Sequence, residues 1–317
     1  MIILLGATGY VGSAFSRLLH SRGIPFLAVS RQSCDYSDAS TLCSLLREQR
    51  ASFVINCAGY TGKPNVDACE GQKYDCLQGN ALLPGVVKTV CEDLNVAWGH
   101  VSSGCIFTGD RSSGRSDNNP AGFTEVNPPN FSFRQNNCSF YSGTKALGEE
   151  ILGYGEVLCP DGQRVWENKE EATGYLWRLR IPFNEQDSAR NFLTKLMTYN
   201  RLLDARNSLS HLDEFVRACW ECWERRLAFG IYNVTNPGSI TTREVVELIR
   251  QSPIGKKLGA AGKQFEFFKD ENEFMSVAAL TPRSNCVLDT HKLSSGGIVM
   301  TPVAEAIKNA LQTWKER

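Results

Sequence analysis

The chain opens with "IILLGATGYVG" (residues 2–12), an apolar run, Ile2–Leu5, cut off by Gly6. Three glycines, Gly6, Gly9 and Gly12, recur at three-residue spacing. A buried strand that ends in such a turn and runs into a helix over Tyr10–Leu19 bares backbone N–H groups at a helix N-terminus. That arrangement suits an anion, typically a dinucleotide pyrophosphate. It makes Gly6, Thr8, Gly9, Tyr10, Val11 and Gly12 candidate cofactor contacts. An ordinary glycine-rich turn reads the same way in isolation, so the surrounding sequence has to decide.

Outward from the turn, short apolar runs alternate with helical patterns. Phe26–Val29 reads as a strand, Leu42–Glu48 as a helix, Phe53–Asn56 as a strand, Leu82–Leu94 as a helix and Val96–Ser102 as a strand. This rhythm predicts an α/β fold of the Rossmann type, a doubly wound parallel sheet covered on both faces. Ligands of such sheets bind beyond the C-terminal strand ends, where the glycine turn lies. From Gly109 to Cys138 the periodicity fails in a run rich in Gly, Pro, Ser and Asn, which reads as a substrate-covering segment. Helical patterning resumes at Tyr141–Gly153, and "CPDGQ" (159–163) marks a turn inside an inserted hairpin or loop before a strand at Tyr175–Arg180. Helices at Asn191–Tyr199, Asp213–Ala228, Thr242–Arg250 and Val303–Lys315 then mix with short strands such as Gly230–Val234. The expected organisation is a cofactor domain over 1–180, to which 211–234 returns, and a smaller C-terminal α+β substrate lobe over 181–317.

Lys+Arg and Asp+Glu are both 34 in 317 residues, so no net field favours nucleic acid or an anionic membrane. No run of about eighteen apolar residues is present to span a bilayer. No signal segment is seen, and the twelve scattered cysteines read as reduced thiols of a cytoplasmic protein. Cys219 and Cys222 have metal spacing but sit in a helical pattern without a second pair. The four histidines, His20, His100, His211 and His291, are far apart, so no metal site is expected.

Tyr141 and Lys145 in "YSGTK" share one face of a predicted helix. A lysine there lowers a phenol's pKa and can hold a cofactor ribose, and the tyrosine can give a proton to a carbonyl oxygen as hydride reaches the carbon. Ser103 ends the strand in "WGHVSSGC", where its hydroxyl can grip the same carbonyl.

Glycine turn, strand-end serine and Tyr/Lys helix follow the order of the short-chain dehydrogenase/reductase superfamily, and their spacing is similar to its extended branch. "NCAG" (56–59) resembles that superfamily's signature where backbone lines the cofactor cleft. The likeness implies cofactor contacts at Cys57, Ala58, Gly59, Tyr60, Asn80, Tyr141, Lys145 and Pro182. Ser30 and Arg31 follow the second strand, where an NAD-selective enzyme usually has an acidic residue. A hydroxyl and a guanidinium suit a 2′-phosphate, so NADPH is expected before NADH, with Asp38 also near the cofactor.

"AGYTGKPNVDACE" (58–70), "SGCIF" (103–107), "GFTEVNPPNF" (122–131), "FYSGTKALGEE" (140–150), "RNFLTKL" (190–196), "YNVTNPG" (232–238) and "PRSNCVLDTHKL" (282–293) narrow the likeness. They resemble the bifunctional nucleotide-4-keto-6-deoxyglucose 3,5-epimerase/4-reductases of nucleotide-rhamnose synthesis and, more distantly, dTDP-4-dehydrorhamnose reductases. The segment Glu156–Gly174 looks inserted, and the turn around Arg31–Cys34 is longer. The resemblance implies that Cys105 and Lys195 form an epimerisation acid/base pair. A 4-ketone acidifies the neighbouring C–H bonds, and inversion takes a proton from one face and returns it on the other. Ser103 and Cys105, two apart on one strand, would then look into the site together. The same likeness implies substrate contacts at Asn65, Val66, Asn191, Phe192 and, on the nucleotide diphosphate, Arg283.

The expected activity is conversion of a UDP- or dTDP-linked 4-keto-6-deoxyglucose to nucleotide-β-L-rhamnose with NADPH. A reductase that receives an epimerised sugar and a non-catalytic binding subunit are the alternatives. A GDP-fucose synthase, which uses a histidine where Lys195 stands, fits less well. The sequence leaves the oligomeric state open, a homodimer included.

Overall fold

Six parallel strands make the central sheet of the computed structural model, which describes residues 1–63, 65–112 and 120–316. They are β1 (Ile2–Leu5), β2 (Phe26–Val29), β3 (Phe53–Asn56), β4 (Ala97–Ser103), β5 (Gly174–Leu179) and β6 (Gly230–Asn233). Their spatial order is β6-β5-β4-β3-β1-β2. The winding reverses at β1, which pairs with β2 on one side and β3 on the other, so the turn after β1 opens into the crevice beyond the strand ends.

Strand residues alternate between two apolar layers. Ile2, Leu4, Phe53, Ile55, Tyr175 and Trp177 face one side, against Phe15 and Leu19 of α1 (Tyr10–Ser21). Ile3, Leu5, Val54 and Leu176 face the other, against α2 (Ala39–Glu48) and α3 (Leu83–Asp93). The α2 helix begins at Ala39, earlier than its apolar pattern, because the Asp38 carboxylate accepts the Thr41 amide at 2.8 Å. Ahead of α3, two short helices (Ala68–Gly71, Lys73–Leu77) and a π-helical turn (Gln78–Leu82) lie where no regular element was foreseen.

The next helix, α4 (Phe140–Ile151), covers the β4–β5 edge of the second layer. The inserted segment is an antiparallel hairpin, Tyr154–Leu158 with Arg164–Asn168, closed by the foreseen turn at Gly162 (φ 82°). Its Trp166 turns into the core. The described residues of the irregular segment after Gly109 are pinned to the C-terminal part of the chain: Gly109 and Phe123 amides donate to Asn285 and Val287 carbonyls at 2.7 and 2.8 Å. Residues 113–119 of that segment lie outside the described residues.

The C-terminal lobe packs α5 (Phe192–Thr198), α7 (Thr242–Gln251) and α8 (Val303–Gln312) around Phe183, Leu193, Ile249 and Ile307. Between α5 and α7, α6 (Leu212–Glu224) returns to the α1 face of the sheet, and Leu293, Ile298 and Met300 return there again. Cys219 and Cys222 are buried in α6, where burial pushes both thiols up. Among the described residues no group of His, Cys, Asp or Glu gathers as a metal site, and no helix is long and apolar enough to cross a membrane.

Candidate active site

The glycine turn is built for close approach. Gly6 has φ 72°, and a Cβ there would lie 2.7 Å from the Ala58 nitrogen. A Cβ on Gly12 would lie 2.2 Å from the Gly6 carbonyl oxygen. No side chain caps α1, whose N-cap is Gly9, so its first-turn amides at Tyr10, Val11 and Gly12 point past exposed Thr8 and Gly9 into the crevice. The Tyr10 phenol donates to Asn184 Oδ1 at 3.2 Å, tying this end of α1 to the strand that contains half-buried Pro182.

Across the crevice, Cys57, Ala58 and Gly59 continue β3. Asn56 Oδ1 accepts the Ala58 amide at 3.0 Å. Asn80, in the π-helical turn, clamps Tyr60: Oδ1 accepts its amide at 2.9 Å and Nδ2 donates to its carbonyl at 2.8 Å. Asn80 thus shapes the cleft wall through the backbone of its neighbour. Beyond β2, the Ser33 hydroxyl accepts the Ser30 amide at 3.0 Å and fixes the turn on which Arg31 stands exposed.

The reacting end of the cleft lies where β4 meets α4. The strand stops at Ser103, and Gly104–Ile106 forms a 3₁₀ turn, so Cys105 does not share a strand face with Ser103 as expected. Two contacts accompany the turn: Ser103 Oγ accepts the Cys105 amide at 3.2 Å, and Gly104 is pressed against Leu288, which a Cβ would meet at 2.6 Å. The turn nonetheless leaves Cys105 beside Ser103 and Tyr141, buried to 5% exposure. Burial pushes its thiol up, against the Ser103 and Ser142 hydroxyls and the charges of Arg180 and Lys145.

Tyr141 sits in the first turn of α4, whose start is fixed by Ser139 Oγ accepting the Ser142 amide and Glu70 Oε1 accepting the Phe140 amide at 2.7 Å. The Tyr141 phenol faces the Ser103 hydroxyl, but its pKa is raised well above that of a free phenol, because burial outweighs that contact. Burial thus prevails over the lowering expected from Lys145. Lys145 is itself drawn down by burial, with Cys105, Cys76 and Glu149 opposing, and its Nζ lies 3.5 Å from where a Gly59 Cβ would stand.

On the substrate side the foreseen residues divide. Lys195 lies on α5, half-buried, its amine drawn down by burial and by Arg190, which reaches Thr61 Oγ1 at 2.5 Å. Phe192 is half-buried against the C-terminal core. Asn191 points inward instead of toward a ligand: it is 0% exposed, caps α5, and its amide donates to the Asn184 and Gln186 carbonyls at 2.8 and 2.7 Å. Asn65 Oδ1 accepts the Asp67 amide at 2.8 Å, next to half-buried Val66. Arg283 holds the Asp67 carboxylate with both terminal nitrogens, at 2.6 and 2.7 Å.

Two partners of this site went unforeseen. Asp67 is one. The other is Glu149, one turn beyond Lys145, whose carboxylate takes Arg178 at 2.6 and 3.0 Å with both side chains fully buried. Ser102 and the Trp166 indole also donate to Glu149. The signal was present: an arginine inside the apolar run "GYLWRL" (174–179) calls for a buried counter-ion.

Residues 1–154 match the family described as RmlD substrate binding domain. A bifunctional dTDP-4-dehydrorhamnose 3,5-epimerase/dTDP-4-dehydrorhamnose reductase of Arabidopsis thaliana is 30% identical over 294 residues, 92% of this chain and 86% of its own. The crystal structure of a UDP-rhamnose synthase from Acanthamoeba polyphaga mimivirus superposes with a TM-score of 0.82 at 23% identity, over 98% of each chain. That of a Bacillus anthracis dTDP-4-dehydrorhamnose reductase in complex with NADP does so at 0.71 and 17% identity, over 99% of this chain and 97% of the other. With the cleft geometry, they lead to one conclusion: the chain belongs to the family of epimerase/reductases of nucleotide-rhamnose synthesis, relatives of dTDP-4-dehydrorhamnose reductase.

Proposed function

We propose that the protein epimerises carbons 3 and 5 of a UDP- or dTDP-linked 4-keto-6-deoxyglucose and then reduces carbon 4, giving nucleotide-β-L-rhamnose. The observation that carries this reading is the convergence of Ser103, Tyr141 and Lys145 with a buried cysteine, Cys105, at one end of the cleft. The cradle fits a dinucleotide: two glycines where side chains would collide and an uncapped helix N-terminus for the pyrophosphate. When bound, NADPH would supply the hydride for carbon 4. Lys145 would hold its ribose, and Arg31 its 2′-phosphate.

Ser103 and Tyr141 would hold the oxygen on carbon 4, first as the enolate forms and then as the ketone is reduced. A raised phenol pKa keeps Tyr141 protonated until the alkoxide, a stronger base than a phenolate, develops beside it. Burial pushes the Cys105 thiol up and draws the Lys195 amine down, and which of the two takes the proton and which returns it depends on the ring face each one meets. Arg283 would receive the diphosphate, with Asn65, Val66 and Phe192 bordering the nucleotide sugar.

Epimerisation exchanges carbon-bound protons with solvent; plain reduction does not. In heavy water, with NADPH and the 4-keto sugar, the product should carry deuterium at carbons 3 and 5. Cys105→Ala and Lys195→Ala should each suppress exchange while still reducing a sugar epimerised beforehand. A product without deuterium at either carbon would leave the protein a reductase only.

A further inference from the structure

Arg283 and Asp67 are 216 positions apart in the chain and meet in a two-pronged ion pair at 2.6 and 2.7 Å. Thr281 Oγ1 adds a third hydrogen bond to Asp67 at 3.2 Å. The pair closes the C-terminal lobe onto the loop that follows β3. That loop leads into the short helix Ala68–Gly71, whose Glu70 holds the start of α4 and whose Cys69 is buried near Tyr141. The pair is therefore linked, through Asp67 and the short helix after it, to the start of α4.

A guanidinium presents one planar fork to a carboxylate and to a phosphate alike. A cation as enclosed as Arg283, with its side chain 19% exposed, is costly without a counter-charge. We propose that Asp67 is the protein's own substitute for the substrate diphosphate, and that binding moves Arg283 from the Asp67 carboxylate to the diphosphate. The inference rests on Arg283 being a diphosphate ligand. A diphosphate on Arg283 would set like charge beside Asp67, whose largely enclosed side chain, 13% exposed, would then have to turn to water. Asp67 thereby makes the site selective: a ligand enters fully only when its charge outcompetes a carboxylate already in place.

The test is UDP and uridine binding to the full chain by calorimetry, with thermal melting to confirm folding. Asp67→Asn should tighten UDP by about tenfold, between the worth of a screened ion pair and that of a charge-assisted hydrogen bond, and leave uridine unchanged. Asp67→Ser, which also removes the charge, should do the same. Arg283→Ala should weaken UDP and spare uridine. Weakened UDP in Arg283→Ala with unchanged or weaker UDP in both Asp67 variants overturns the inference and keeps Arg283 as a ligand. Unchanged UDP in Arg283→Ala removes the diphosphate reading, and the inference with it. A wild-type crystal structure with UDP needs no variant: Arg283 should contact the diphosphate and have left Asp67. Arg283 still paired with Asp67 beside bound UDP overturns the inference.

Discussion

A phenol can give its proton to a carbonyl oxygen only while it still has one, and Tyr141 is held protonated by its surroundings. Replacing it with phenylalanine keeps the ring and removes the donor. Tyr141→Phe should keep its melting temperature yet lose NADPH oxidation with the 4-keto sugar by about 10²-fold or more. Near wild-type turnover by the folded variant would exclude Tyr141 as the donor. Tyr141 and Lys145 were legible because the i,i+4 spacing of a helix is a local property. Cys105 was half legible: its neighbourhood followed from sequence, but the 3₁₀ turn that takes it off the strand face sets Gly104 against Leu288, from far along the chain. Asn191 was misplaced for a similar reason. A polar side chain next to a helix start reads equally well as a ligand contact or a cap, and only the Asn184 and Gln186 carbonyls that its amide reaches decide between them.

The α4 helix carries both Tyr141 and Lys145, and what fixes it to the sheet is Glu149. Its carboxylate gathers Arg178 of β5, Ser102 of β4 and Trp166 of the inserted hairpin. Both charges of the pair are out of water, so removing one strands the other. Arg178→Met should cost about 3–5 kcal/mol in denaturant unfolding. Replacing both partners, Glu149→Leu with Arg178→Met, should cost less than Arg178→Met alone. A double variant less stable than the single one would show that the packing, not the uncompensated charge, dominates. The strands of the sheet and the longer helices were legible from periodicity. The helices before α3 were not, nor those at Pro253–Ala260, Glu271–Val277 and His291–Ser295, since segments of four to eight residues are too short to show a period. The segment was seen as an inserted hairpin or loop around its turn, while its packing on α4 depends on Trp166 reaching Glu149.

At the level of the whole molecule, the lobes are joined by polar contacts as well as by chain. Glu185, beyond the short strand Pro182–Phe183, lies 3.7 Å from His211, and its backbone carbonyl accepts the Lys315 amide at 2.8 Å. The His211 contact brings its carboxyl from 4.5 down to about 2. A pKa depressed in the folded state gives stability that is full above 4.5 and is lost as pH falls toward about 2. The melting temperature should drop across that window, and Glu185→Gln should flatten the drop; an equal drop in the variant would place the acid sensitivity elsewhere. The parallel sheet was legible, but the interleaving of the lobes was harder to read, because it depends on which apolar faces find each other. That interleaving limits how the protein can be engineered. The chain leaves the sheet after β5, comes back for α6 and β6, departs, and returns once more at Leu293–Met300. A fragment ending at residue 180 would leave Phe53, Tyr175 and Trp177 without the side chains of α6 that cover them, and β5 without its neighbour β6. The C-terminal lobe is therefore not a detachable module: grafting a foreign one at a single junction would remove part of the core of the sheet domain, so any exchange has to follow the chain through each of its passages.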